Sequence, residues 1–220
     1  MADEPASVEP EAHRAARDRR VEMIAAVLLS IATVVTAWSA YEATRWSGVQ
    51  TENYVTASAL RTESVRDSNR ANSQILVDVN VFLSWLDAVR GGHDALASDI
   101  EARFRPEFRP AFDAWLASEP GVEVPAGTPF DRPEYVLAEQ RAANRLEAQA
   151  SASFDAGQEA NQTSDNFVLA AVLLASVLFF SGLAGTFDAF RAQVFLLTLA
   201  AVMLVTGLVV MLSLPQDVGF

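Results

Sequence analysis

Two histidines, 28 carboxylates and no cysteine make up this chain's supply of groups able to hold a metal or attack a bond. The lack of cysteine excludes disulfides, thiolate-ligated zinc, iron–sulfur clusters and thiol catalysis. His13 lies in a polar amino-terminal stretch. His93 follows Gly91-Gly92 and sits beside Asp94, and neighbours in sequence point apart on a helix, so it gains no orienting carboxylate. Both histidines read as solvated surface groups. Asp78, Asp87, Asp94, Asp99 and Glu101 are numerous enough for an acid pair or a calcium site, yet no D-x-[DN]-x-[DN]-G loop fixes them, and they read as solvation of exposed helix faces. There is no P-loop, Rossmann fingerprint, G-x-S-x-G or H-E-x-x-H either. The sequence therefore assigns no catalytic, cofactor-binding or metal residue, and the expectation is a protein that is not an enzyme. The net charge of −12, with all 16 basic residues arginine, excludes nucleic acid as a partner, because phosphate neutralisation needs a basic surface.

The elements that would carry such groups divide by hydropathy. Residues 21–41, 167–187 and 192–214 are apolar runs of about 20 residues, the length that crosses a roughly 30 Å hydrocarbon core as helix. Trp38, Tyr41 and Trp46 follow the first run, where amphipathic rings favour the headgroup layer. Arg14, Arg17, Arg19 and Arg20 precede that run and Arg191 lies in the 188–191 connection, so both sites are expected in the cytoplasm, with residues 1–20 a disordered tail and 215–220 a short outer tail. A cleaved signal peptide ending near Ala37-Trp38-Ser39 is the competing reading, but this apolar run exceeds the usual h-region, so it is read as an uncleaved anchor.

Residues 42–166 carry 20 acids and 11 arginines and are read as an extracytoplasmic domain. Ala57, Leu60, Ser64, Ser68, Ala71, Ile75, Val79, Phe82, Leu86 and Val89 recur at steps of three and four, a coiled-coil-like seam that ends at Gly91-Gly92. A second helix is expected from Pro133-Glu134-Tyr135, with Ala138, Ala142, Leu146, Ala150 and Phe154 as its packing face and Gly157 as a weak point. Between them, Phe104, Phe108, Phe112, Trp115 and Leu116 predict an apolar cap near 93–132, or secondarily a docking surface, followed by the turn-rich stretch 119–133. Asn161-Gln162-Thr163 matches a glycosylation acceptor, but polar capping of a helix that restarts at 161–166 is the simpler reading. The fold expected is an all-α integral membrane protein, three transmembrane helices with an extracytoplasmic antiparallel helical hairpin between the first and second.

The run from Ala37 to Gln50, together with Phe104-Arg105-Pro106-Glu107-Phe108-Arg109-Pro110-Ala111-Phe112, Pro133-Glu134-Tyr135 and Glu159-Ala160-Asn161-Gln162-Thr163-Ser164-Asp165, resembles in the same order an uncharacterised family of bacterial inner-membrane proteins with three predicted transmembrane helices and a long helical ectodomain. Glu42 stands where that pattern has glutamine, and Arg132 where it has methionine. The resemblance implies a bacterial cytoplasmic (inner) membrane and no particular activity. The expected function is a non-enzymatic scaffold or interaction protein with the lipid bilayer, further copies of itself and an envelope protein as partners, self-associating through its seam and its alanine face. An oligomeric ion channel or transport accessory subunit is the alternative and a membrane enzyme of unrecognised type the third. The spans hold no central ionisable group, and Ser30, Thr33, Thr36 and Ser39 line no single face.

Overall fold

The computed structural model describes residues 8–187 and 189–216, and the side chains of all of these except 8–16 and 18. Among the described residues five helices form: α1 (Val8–Arg90), α2 (Asp94–Glu101), α3 (Arg109–Leu116), α4 (Ala138–Ala184) and α5 (Phe190–Ser213), with one 3-10 turn at Pro129–Asp131. No strand occurs among the described residues. Helices α1, α4 and α5 are each long and apolar enough to cross a membrane.

Helix α1 begins earlier than expected. The stretch read as a disordered tail is helical from Val8, while residues 1–7 and the side chain of His13 lie outside the described residues. Its alanines, glutamates and arginines are strong helix formers, and Pro10 falls in the first turn, where the missing N–H has no intrahelical partner to lose. The far end stops where the glycines predict. Gly92 takes φ +68°, its N–H donates to the Val89 carbonyl at 3.0 Å and that of His93 to Ala88 at 2.9 Å, a Schellman closure that needs the left-handed conformation glycine adopts without penalty.

The chain divides into two compact units, Val55–Phe154 and the pair of segments Met1–Tyr54 with Asp155–Phe220. In the latter, α1, α4 and α5 pack through small residues. Ala32 lies among Leu174, Val177, Ala200 and Leu204, Ala25 beside Ala184 and Leu197, and Ala43 with Phe167, Ala170 and Met211. Contacts on α4 and α5 pair rising with falling residue numbers, so the two run antiparallel. Small side chains allow close helix approach where no hydrophobic drive exists between helices in lipid. The link between them is 185–189, earlier than the expected 188–191, and Asp188 lies outside the described residues.

In unit 55–154, the α1 residues Ala57, Ser64, Ala71, Asp78 and Trp85 are buried at steps of seven, the repeat of a left-handed seam. Opposite, α4 buries Ala143 and Ala150. The alanine face expected from steps of four is therefore corrected: Ala138 is exposed and Ala142 only half-buried, because each step of four overshoots the helical turn and the stripe drifts off the contact. Of the two faces expected to carry self-association, the seam is buried at Ala57, Ser64, Ala71 and Phe82, and the alanine face at Ala150 alone. Ser64 Oγ donates to the Ala143 carbonyl at 2.9 Å, and Arg61 lies 3.9 Å from Glu147.

Two further expectations are corrected on α4. It starts at Ala138 rather than near Pro133, because the chain from Arg132 to Leu137 first turns inward: Tyr135 N–H donates to the Arg132 carbonyl and Leu137 is buried. It also runs without interruption through 161–166. Thr163 bonds back to the Glu159 carbonyl and Asn161 to Asp165, so the polar run solvates a continuous helix instead of capping a new one.

Candidate functional site

The phenylalanine-rich block forms a core. Phe82, Trp85, Phe108, Phe112 and Trp115 are buried together, with Phe104, Phe130 and Tyr135 against them. Many of their rings meet edge-on, as at Trp85–Phe112 (4.8 Å, 86°) and Phe108–Tyr135 (5.9 Å, 90°), an arrangement the ring quadrupole favours, while Phe82–Trp85 and Phe108–Phe130 stack. With Phe108 at 0% exposure, the secondary reading of this block as a docking surface is withdrawn. Trp115 Nε1 donates to the Ala126 carbonyl at 3.2 Å, which ties the turn-rich stretch to the cap.

Against this core sits the most constrained polar group of the unit. Asp78 is 2% exposed, and its Oδ2 accepts from Arg105 Nη1 at 3.0 Å and from the Tyr135 hydroxyl at 2.9 Å. Arg105 also reaches Glu107 at 3.2 Å. Burial raises the Asp78 carboxyl above the ordinary carboxylate value against the opposing pull of Tyr135 and Arg105. Burial likewise pushes the Tyr135 phenol upward, assisted by the adjacent Asp78. One turn back, Gln74 donates to Glu139 and holds that carboxyl below its usual value. Asp78, Arg105 and Tyr135 come from three distant stretches of chain and pin α1, the loop before α3 and the approach to α4 in one place. A carboxylate with its accepting oxygen doubly engaged and its surroundings aromatic is built for positioning.

The remaining acids singled out in the sequence do not join it. Asp87, Asp94 and Asp99 are exposed, Glu101 pairs with Arg109 at 2.7 Å, and Arg109 also with Asp113 at 2.9 Å. His93 is exposed. Among the described residues no three His, Asp or Glu side chains come together to hold a metal. The signal for Asp78 was its place in the repeat: a charge seven residues after Ala71 and seven before Trp85 must find a partner in the seam.

In the other unit, Ser39 Oγ donates to the Phe167 carbonyl and Ser164 Oγ to the Ala43 carbonyl, both at 2.8 Å. Each helix thus supplies one hydroxyl to the other's backbone. Glu42 is fully buried at this crossing. Trp38 Nε1 donates to Gln216 and Trp46 Nε1 to the Pro215 carbonyl, both at 3.1 Å, so the expected interfacial rings also hold the end of α5. The Ser30 and Thr33 hydroxyls donate back to Ala26 and Leu29 of their own helix.

In comparisons with known proteins the chain matches no protein family, no curated protein and no solved structure, and the family resemblance rests on the quoted blocks alone.

Proposed function

We propose that the chain is a non-enzymatic, membrane-anchored scaffold or interaction protein of a bacterial cytoplasmic membrane, its amino terminus inside and residues 42–166 outside as an acidic antiparallel helical hairpin. Three helices able to cross a membrane, and arginines beside the first span and at Arg191 in the first turn of α5, support this placement. The observation that carries the function is a second heptad-spaced stripe on α1, turned away from its intrachain seam. Val65, Asn69, Asn72, Leu76, Asn80 and Leu83 are all exposed, with Leu76 at 64% and Leu83 at 49%.

Apolar residues alternating with asparagine at this spacing suit a helix–helix contact in water, the asparagines fixing register at some cost in stability. The partner is a second copy of the chain. Light scattering of the detergent-purified protein tests this: the wild type is expected to be oligomeric, and the Leu76→Glu/Leu83→Glu double variant smaller with unchanged helicity. A wild type that is monomeric at all concentrations, or an oligomer indifferent to both changes, overturns the reading.

A further inference from the structure

Gly48 of α1 is a glycine for which the packing of its own chain gives no reason. Glycine weakens a helix interior relative to alanine, and at two other helical positions a close neighbour accounts for it: a methyl group at Gly157 would strike Tyr54, and one at Gly207 would lie 3.0 Å from Leu174. At Gly48 the same methyl group would meet no described residue within 4 Å. The glycine instead forms the floor of a groove of about 320 Å³ bordered by Tyr41, Thr44, Val49 and Glu52. All of these belong to α1, so a small molecule in the groove would stay open to solvent on its far side, whereas a second helix laid along it would cover it. Counting by sevens from Gly48 along α1 gives Val55, Thr62, Asn69, Leu76 and Leu83, each of them exposed. Gly48 thus holds the same heptad position as the leucines of the stripe.

We propose that two copies of the chain pair with α1 parallel to α1, both anchored in one membrane, and that their backbones approach most closely at Gly48. This rests on the self-association reading above and extends it in direction and reach. Area supports the extension. A helix face about 10 Å wide, running from Val65 to Leu83 at about 1.5 Å per residue, covers about 300 Å² per copy. Two such faces fall well short of the roughly 1,200 Å² in total at which specific pairs begin. Continued down to Tyr41, the face grows to about 600 Å² per copy and reaches that size. A missing side chain lets two backbones close up, the use that small residues serve between membrane helices. Parallel pairing also sets Leu76 and Leu83 each against its own counterpart and Asn69 against Asn69, a polar layer that holds register. Antiparallel pairing centred on Leu76 would set Leu83 against Asn69.

The chain has no cysteine, so single cysteines report contacts without background. The full-length protein in phosphatidylcholine vesicles, oxidised with copper phenanthroline, is expected to form a covalent dimer in Gly48→Cys and in Leu76→Cys and not in Glu63→Cys, an exposed position off the heptad line. Gly48→Leu fills the groove, and dissociation of the detergent-solubilised dimer on dilution, followed by light scattering, should move to about tenfold higher concentration with unchanged helicity. A covalent dimer through Leu76→Cys without one through Gly48→Cys, equal cross-linking at Glu63→Cys, or dimerisation indifferent to Gly48→Leu overturns the parallel close approach and leaves stripe-mediated self-association standing. A wild type that is monomeric at all concentrations overturns both.

Discussion

Gly157 sets two effects of opposite sign against each other. In a helix interior, glycine to alanine gains about 1 kcal/mol from backbone entropy, and on that ground Gly157→Ala should stabilise α4. The position is buried, however, and a methyl group built there would lie 2.5 Å from Tyr54 Cε1, 2.6 Å from Cδ1 and 3.4 Å from Asn53 Cβ. The first two distances fall well inside van der Waals contact, so either the ring swings out or α1 and α4 separate. Overpacking of this kind costs about 1–3 kcal/mol. The net expectation is a loss of up to about 2 kcal/mol, read as a lower midpoint in denaturant or thermal unfolding of the detergent-solubilised protein. In a Tyr54→Ala background the clash is gone and the same substitution should raise stability by about 1 kcal/mol, so the sign of its effect reverses between the two backgrounds. If Gly157→Ala stabilises the chain by the same amount whether or not Tyr54 is present, the close approach of ring and helix is refuted.

Asp78→Ala should cost about 3–5 kcal/mol, because it leaves Arg105 and Tyr135 without their shared acceptor; a loss below about 1 kcal/mol would mean the cluster is not formed. Burial raises the Asp78 carboxyl, so the folded state holds that proton more tightly than the unfolded chain. Stability from this group therefore grows as pH falls from above the raised value towards the ordinary carboxylate range. The difference between wild type and Asp78→Asn, followed against pH by unfolding, should show that slope, and a difference that moves the opposite way would refute the assignment. Trp115→Ala should cost about 3–5 kcal/mol and broaden the near-ultraviolet dichroism of the remaining tryptophans; unchanged dichroism would contradict the buried cap. Ser39→Ala and Ser164→Ala should each cost about 0.5–1.5 kcal/mol in detergent unfolding, and no loss in either would remove the reciprocal helix contact.

Much of the architecture was legible before any coordinates. Hydropathy alone marked three apolar runs, since a helix able to cross lipid must be long and uncharged. The end of α1 followed from Gly91-Gly92, because only glycine closes a helix through φ +68° without penalty. The aromatic block announced a core, as four large rings within a dozen residues cannot all stay in water. Tertiary structure decided the rest. Steps of three and four around Ala57 to Val89 fit several neighbouring faces of a helix, and the choice of the seven-residue register came from what α4 offers opposite. The alanines of α4 read as one stripe in sequence and as another once Ala143 and Ala150 met Ser64 and its neighbours. Gly157 looked like a defect until Tyr54 was seen to occupy its missing side chain. Asp78, Arg105 and Tyr135 carry no shared spacing at all; a carboxylate can be known to need a partner from its seam position, but which partner reaches it depends on how the chain returns from α2 and α3. Local rules fixed where α1 ends, and only the contact between distant segments fixes where α4 starts and which helix faces are inside.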